Sequence, residues 1–443
     1  MRGHSFRPAG SPRTVAVVGM FPSRLGVCLV MSPTAPRAGA RLPVAVYVLG
    51  VAVFALGTSE FMLSGLLPEI ADDLDVSIPR AGLLISAFAV GMVVGAPTLA
   101  AATLRLPRRT TLVGLLVVFG AGHIVGAVST SYGVLFATRI VSALACAGFW
   151  AVGAAVAIAT VPTGARARAM AIMVGGLSVA NVAGVPGGAL LGQHFGWRSA
   201  FWAVTLMTVV ALVGVVALVP GGTPGDAEPP RLREELRIYR DGQVWLAMAT
   251  IALFAGATFS FFSYLAPLLT DVAGLGDGWV PTVLALFGAG AFLGTLVGGR
   301  MADRYRFGTM YVGLSATAAV LVACALLAEY PVAIVTLSIL LGATAFTTAP
   351  ALNARIFDVA GAAQGLAGAT ATSSFNIGNT VGPWLGGLVI SAGLGYAATA
   401  WTGAVLAVGA VAMTVVAGRS AARRTRLVAR GEPATEGAVK ATG

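Results

Sequence analysis

A chain of 443 residues that is 57% hydrophobic, 10% charged and +0.88 in mean hydropathy does not fit a soluble domain, which carries about 25% charged residues. Its net charge of +11 does not describe a nucleic-acid surface, because Lys440 is the sole lysine and the arginines sit at segment ends and in the tails. Cys28, Cys146 and Cys324 lack metal-ligand spacing and His4, His123 and His194 form no HxxxH pair, so no metal and no cofactor are expected.

Residues 1–42 include "TVAVVGMFPSRLGVCLV", an apolar stretch interrupted by Pro22 and Arg24. It lacks the continuous core of a signal peptide, so a disordered extension, or a true start at Met31, is expected. Twelve apolar runs follow: 43–67, 80–103, 110–130, 132–160, 166–191, 197–219, 243–270, 279–300, 308–328, 331–353, 362–391 and 393–417. Each is about 20 residues or longer, enough to cross a bilayer, and continuous apolar runs in lipid require helices. The expected fold is therefore an all-α membrane protein. Residues 220–242, "PGGTPGDAEPPRLREELRIYRDG", read as a linker between the six-helix stretches 43–219 and 243–417, and residues 418–443 as a basic tail.

The loops alternate in charge. Arg105, Arg108, Arg109, Arg166, Arg168, Arg231, Arg233, Arg237, Arg240, Arg300, Arg304, Arg306 and the arginines of the tail fall on one side. Glu69, Asp72, Asp73, Asp75, Asp271, Asp277 and Glu329 fall on the other, against only Arg80 and Arg198. Because arginine is retained on the cytoplasmic side, both termini are expected in the cytoplasm.

The two halves repeat at a constant offset of 199 residues. "FAVGMVVG" (88–95) lies over "FGAGAFLG" (287–294), Pro68 over Pro267, Arg105 over Arg304, and Gly187–Gly188 over Gly386–Gly387. "FGWRSAFW" (195–202) lies over "LGYAATAW" (394–401). A duplicated six-helix unit suits a secondary transporter that binds substrate between its halves near the midplane and rocks to alternate access. A channel or receptor would not need the duplication.

Six stretches carry more specific meaning. "GRMADRYRF" (299–307) is a charged loop whose counterpart, "AATLRLPRRTTL" (101–112), has Leu104 where the second half has Asp303. "NVAGVPGGALLG" (181–192) and "GNTVGPWLGG" (378–387) join close-packing glycines to prolines that remove a backbone hydrogen bond. "ATRIVSALACAGFW" (137–150) sinks Arg139 into the fourth run, and "LGTSEFMLSGLLPE" (56–69) sinks Glu60 into the first. At 1.5 Å per residue both lie roughly 10–14 Å below the acidic-loop surface.

Together these stretches resemble the major facilitator superfamily over nearly all of residues 43–417. The resemblance implies twelve transmembrane helices in two pseudo-symmetric halves. It also implies a charged-loop brace from Asp303 and Arg304, missing its acid in the first half, and gates built on Gly184, Pro186, Gly187, Gly188, Gly378, Gly382, Pro383, Gly386 and Gly387. The intramembrane arginine, here Arg139, is linked in that family to proton coupling. "GTSEFMLSGLLPEIA" (57–71), the glycine-proline run and "PRRTTL" (107–112) are similar to the chloramphenicol exporters of actinobacteria, with sugar and drug exporters of the AraJ type more distant.

Glu60 is the sole acidic residue deep in a run, and intramembrane ionisable groups are functional by default. The expected role is proton coupling by Glu60 and Arg139, with a structural ion pair as the alternative. A substrate cavity is expected from Phe61, Met62, Trp150, Phe259, Phe262 and Tyr264 with Asn181, Asn353, Asn376 and Asn379, each with helix packing as its alternative. Such lining fits a small amphiphilic uncharged drug. The expectation is thus a monomeric drug/proton antiporter of the bacterial cell membrane that binds no nucleic acid. No P-loop for ATP and no nucleophile–base pair of an enzyme occurs. Export of a sugar or other metabolite, proton-linked uptake, and a receptor or membrane enzyme are the alternatives.

Overall fold

The computed structural model describes residues 42–103, 106–162, 165–221, 236–360 and 364–429. The expected N-terminal extension, Leu104, Arg105, most of the linker and the end of the tail lie outside these residues. Among the described residues every regular element is helical, and twelve long rods dominate. They are α1 (Val44–Phe61), α2 (Ile78–Thr103), α3 (Arg108–Val128), α4 (Tyr132–Ala159), α5, α6 (Arg198–Leu218), α7 (Gly242–Phe262), α8 (Trp279–Arg304), α9 (Arg306–Leu326), α10 (Pro331–Ala360), α11 (Gln364–Ser391) and α12 (Ala398–Ala429). The rod α5 comprises Arg166–Val179, one π-helical turn Ala180–Gly184, and Val185–Phe195.

Eleven helices among the described residues are long and apolar enough to cross a membrane. The exception is α11, whose 28 residues have the length but carry a polar stripe. Thr370, Ser374, Asn376 and Asn379 of that stripe are buried, so its polarity faces the protein interior and not lipid.

Helix packing reproduces the repeat. In the first six helices α1 packs on α5 and α6, α2 on α4, and α3 on α4 and α6. In the second six α7 packs on α11 and α12, α8 on α10, and α9 on α10 and α12. The five pairings are the same after a shift of six helices. The repeated glycines explain part of this. A Cβ on Gly91 would come within 2.8 Å of the Ile140 carbonyl, and one on Gly95 within 3.0 Å of the Leu144 Cα. Their counterparts Gly290 and Gly294 press on the carbonyls of Ile339 and Ala343, which lie at the same offset of 199 from Ile140 and Leu144. Both sides of the α2–α4 contact have therefore been kept in α8–α10.

The halves meet along α2–α11 and α5–α8. The Ser86 hydroxyl donates to the Thr380 carbonyl at 3.0 Å, the Gln193 amide donates to the Asp277 carbonyl at 2.6 Å, and Gly288 packs on the backbone of Asn181. All of these contacts lie between the middle of the bundle and the acidic-loop end. The two basic exceptions at that end are used locally. Arg198 donates to Asp73 at 2.6 Å and to the Ser129 carbonyl at 3.0 Å, and Trp197 donates to the same Asp73 oxygen at 3.2 Å. Arg80 lies 4.9 Å over the Tyr132 ring, whose hydroxyl donates to the Arg80 carbonyl.

At the acidic end a cleft of about 320 Å³ opens between the halves, lined by Glu69 and Asp72 from one and Asp271 and Asp277 from the other. Burial, reinforced by the charge of Asp277, raises the Glu69 pKa above its ordinary 4.5 despite a backbone hydrogen bond that opposes the shift. The folded chain therefore holds this proton to higher pH than the unfolded chain does, and ionised Glu69 costs stability that is regained as pH falls toward 4.5.

Two predictions follow from this packing. Gly294→Ala forces the α8–α10 backbones apart and lowers stability by about 1–3 kcal/mol, whereas Gly299→Ala, which meets open space, is neutral. Thermal unfolding of the purified variants in detergent distinguishes them. Glu69→Gln raises the melting temperature at pH 7, with the gain shrinking as pH approaches 4.5; a pH-independent gain contradicts the assignment.

Candidate functional site

The apolar run 43–67 is not one helix. Regular α1 stops at Phe61, a tight 3-10 turn covers Met62–Gly65, and Pro68 opens a short helix, Leu67–Asp73. The same interruption recurs after α7. That helix stops at Phe262, and a one-turn helix Leu265–Pro267 runs into a π turn at Leu268–Val272. Pro68 and Pro267, equivalent in the repeat, therefore both mark a broken first helix. By the bounds of the runs, both breaks lie nearer the acidic-loop end than the midplane.

Immediately before the first break lie Ser59, Glu60 and Phe61. Arg139 of α4, only 1% exposed, points its guanidinium at Ser59 and not at Glu60. One terminal nitrogen donates to the Ser59 hydroxyl and the other to the Ser59 carbonyl, each at 2.9 Å. The guanidinium also lies 4.3 Å over the Phe88 ring of α2, a favourable cation–π placement. The Ser59 hydroxyl in turn meets His123 Nε2 at 2.7 Å, and His123 Nδ1 lies 2.8 Å from the Phe119 carbonyl. Both Ser59 and His123 are buried, and the imidazole sits 4.3 Å from the Phe119 ring and 5.6 Å from Phe201.

Glu60 takes part in none of these hydrogen bonds and forms no ion pair among the described residues, although it lies within electrostatic reach of Arg139. It is partly exposed, unlike its neighbour Ser59. Next to it Phe61 stacks on Phe259 of α7, with centroids 5.3 Å apart and planes 21° apart, which is a contact between the halves. From Phe259 a line of rings continues through Phe262 at 5.7 Å, Phe287 at 4.4 Å and Phe346 at 6.3 Å.

The other expected lining residues divide into three groups. Asn376 and Asn379 are buried on α11, and each side-chain carbonyl oxygen lacks a partner among the described residues, although the Asn376 amide donates to the Thr372 carbonyl. Asn181, in the π turn of α5, and Asn353 of α10 are partly buried, with their amides donated one turn back to Leu177 and Ala349. Met62 and Tyr264 are fully buried. Tyr264 donates its hydroxyl to the Pro383 carbonyl at 2.8 Å and fills the space left by Gly386, Gly387 and Gly82, so it packs rather than lines an opening. Trp150 of α4 is partly buried against the first-half core, without a ring contact or hydrogen bond to the aromatic line among the described residues.

The glycine-proline stretches are contact surfaces. Gly184 abuts Thr58 of α1, Gly188 approaches Met62, and Gly187 meets open space beside Pro186. Gly378 and Gly382 abut the backbone of α7 at Ala252 and Gly256. At the basic end, among the described residues, Arg304 reaches only Tyr305 and Asp303 is exposed, so no brace from Asp303 and Arg304 joins neighbouring helix ends among them. Tyr305 breaks the helical path with φ −139 and ψ 68, and it is Arg306 that pairs with Asp358 at the end of α10. A second tie runs from Arg355 to Gln243 of α7 at 2.6 Å.

Ser59 and His123 were not singled out from the sequence. A usable signal existed for His123, an ionisable residue in the middle of an apolar run, by the same logic that selects Glu60. Ser59 carries no signal of its own, since serine satisfies itself within a helix as readily as across one.

Comparison with known proteins places this arrangement in context. The chain matches the Major Facilitator Superfamily over residues 49–362 and 278–440. It is 43% identical to the "Chloramphenicol resistance protein" of Streptomyces lividans over 376 residues, covering 84% of this chain and 95% of that one. It is 36% identical to the "Inner membrane transport protein YdhP" of Escherichia coli (strain K12) over 359 residues, covering 81% and 92%. In fold it is similar to a bacterial homolog of the human lysosomal transporter Spinster, in an inward-facing and occupied conformation. That likeness has a TM-score of 0.70 at 18% identity over 86% of this chain and 98% of that one. The duplicated six-helix packing, the paired breaks after α1 and α7 and these likenesses agree: the chain belongs to the major facilitator superfamily and is a membrane-spanning transporter.

Proposed function

We propose that the protein exports chloramphenicol or a closely related uncharged aromatic drug in exchange for protons. The observation that carries the reading is Glu60, a carboxyl free of hydrogen bonds among the described residues, whose chain neighbours are Ser59, which holds a buried guanidinium, and Phe61, whose stack joins the two halves. The likeness to a chloramphenicol resistance protein supports the choice of substrate.

In this reading the acidic loops face outward, both termini lie in the cytoplasm of a bacterium, and one copy of the chain is the working unit. Contacts gathered toward the acidic-loop end then correspond to an inward-facing state. The drug enters from the cytoplasm, lays its ring on Phe61 and Phe259, and offers hydroxyl or amide donors to the unpartnered oxygens of Asn376 and Asn379. An orphaned buried acceptor costs about 1–3 kcal/mol, and a donor that satisfies it regains part of that cost as affinity. Glu60 releases its proton inward as the drug binds. The halves then rock about α2–α11 and α5–α8, and a proton from outside displaces the drug and resets the carboxyl.

Labelled chloramphenicol tests direction and energy source together. Inverted vesicles carrying the protein accumulate it when energised and stop when an uncoupler is added; accumulation that survives the uncoupler rejects the proton step. Glu60→Gln leaves the protein in the membrane but abolishes proton-driven export, so unchanged drug resistance in cells with that variant excludes Glu60 as the coupling group. Arg139→Lys keeps the charge but loses the two-pronged grip on Ser59 and the stacking on Phe88. Losing one hydrogen bond from a charged group is worth about 1.5–3 kcal/mol, so export by this variant falls by about tenfold or more.

A further inference from the structure

The chain of hydrogen bonds around Arg139 has a direction that follows from chemistry alone. A backbone carbonyl can only accept, so His123 Nδ1, 2.8 Å from the Phe119 oxygen, carries a hydrogen. In the neutral imidazole the other nitrogen, Nε2, is then an acceptor. Ser59 stands 2.7 Å from it and has one hydroxyl hydrogen, which goes to Nε2. The lone pairs of that hydroxyl are thereby turned toward Arg139, whose nitrogen donates to them at 2.9 Å. The second guanidinium nitrogen is held by the Ser59 carbonyl at 2.9 Å. Every group in the series is buried, so each bond replaces one that water cannot supply.

The consequence falls on Glu60. Arg139 acts electrostatically on Glu60, and direct pairing of a guanidinium with a carboxylate would favour the ionised carboxylate and hinder its protonation. Here Ser59, the residue beside Glu60, takes both terminal nitrogens of Arg139 instead. We propose that Ser59 and His123 are positioning residues that hold the Arg139 guanidinium off Glu60, leaving the carboxyl free to exchange its proton and to meet the drug. The inference rests on the proton-coupling reading above and assigns that reading two residues it did not include.

The titratable and charged groups around Glu60 are few. Arg139 and Cys146 come from α4 and His123 from α3. The ionisable residues of the other helices that pack on this region lie at helix ends: Arg80 on α2, Arg166, Arg168 and His194 on α5, Arg198 on α6, and Arg300, Asp303 and Arg304 on α8, while α7 has none. Among the described residues no other cation within the bundle stands beside Glu60, so the direction of the Arg139 guanidinium bears directly on the proton affinity of the site.

Export of labelled chloramphenicol by inverted vesicles, measured across a range of pH, reads this out. Ser59→Ala removes one oxygen and frees one prong of Arg139 to pair with Glu60. His123→Leu removes the acceptor that orients Ser59. An opposite charge brought within about 4–6 Å lowers a carboxyl's proton affinity, so both variants move the pH of half-maximal export downward by about one unit. His123→Gln puts an amide where Nε2 stood and restores the original profile, although it cannot titrate. Wild-type profiles in both Ser59→Ala and His123→Leu overturn the proposal, and so does a His123→Gln profile matching His123→Leu, which would make His123 itself the titrating group. If His123→Leu fails to reach the membrane, Ser59→Ala decides alone. Glu60→Gln separates the two levels. A wild-type profile in that variant removes the proton reading itself, whereas loss of proton-driven export in Glu60→Gln with no shift in Ser59→Ala removes only the positioning role.

Discussion

A guanidinium that is 1% exposed in the middle of a membrane bundle must find its acceptors inside the protein, and Arg139 finds two on the single residue Ser59. Much of the site's geometry follows from that demand. The bond fixes the last turn of α1 against α4, and the tie from Ser59 to His123 brings α3 into the same knot. With Ser59 turned toward α3 and α4, the next two residues are set apart from it: Glu60 stays partly exposed and Phe61 reaches α7. One buried charge thus organises three helices of one half and presents a carboxyl and an aromatic ring toward the other.

The contact between the halves carries no buried charge among the described residues. It depends on small residues and single polar bonds, such as Ser86 to Thr380 and Gly288 against Asn181, together with rings that can slide over each other. Within each half the α2–α4 and α8–α10 contacts lock backbone against backbone through glycines, and a Cβ there collides with a neighbouring main chain. Packing of that kind is stiff, because close-packed interiors yield little to small displacements. The seam has a contact of the same kind where Gly288 meets the Asn181 backbone, and its polar ties are single hydrogen bonds.

The fold was legible in the sequence because its main determinants are cumulative. Twelve apolar runs and a constant offset need no single residue to be read correctly, and Gly91, Gly95, Gly290 and Gly294 carry the repeat down to the contacting backbone. The site was legible only in part. Glu60, Phe61, Arg139 and Phe259 stand out by chemistry, and the structure gathers them. The break after Phe61 was hidden, since Met62–Gly65 is as apolar as the helix before it and hydropathy does not register a 3-10 turn. The partner of Arg139 was hidden too, because a carboxylate one residue away is the obvious candidate and a serine is not. Tyr264 was assigned to a cavity from its type, but only its neighbours, Gly82, Gly386 and Gly387, reveal a slot shaped to bury it. At the basic end the family resemblance of the loop pointed to Asp303 and Arg304, whereas among the described residues the ion pair that follows the break at Tyr305 is Arg306 with Asp358.

The repeat also exposes what the second half does not have. At the offset of 199, Ser59, Glu60, His123 and Arg139 correspond to Thr258, Phe259, Val322 and Ser338. None of these four is charged. The Thr258 and Ser338 hydroxyls are satisfied within their own helices, by the carbonyls of Phe254 and Ile334 at 3.1 and 2.7 Å. Among the described residues no polar knot joins α7 to α9 and α10 at these positions, and the place of Glu60 is taken by the ring on which Phe61 stacks. Duplication supplied two equivalent frames, and the buried charges were confined to one of them. In the proposed cycle, protonation and deprotonation of one carboxyl adjust the electrostatics of one half only. The other half can change its tilt at the cost of apolar contacts alone, without carrying a second desolvated charge through the membrane.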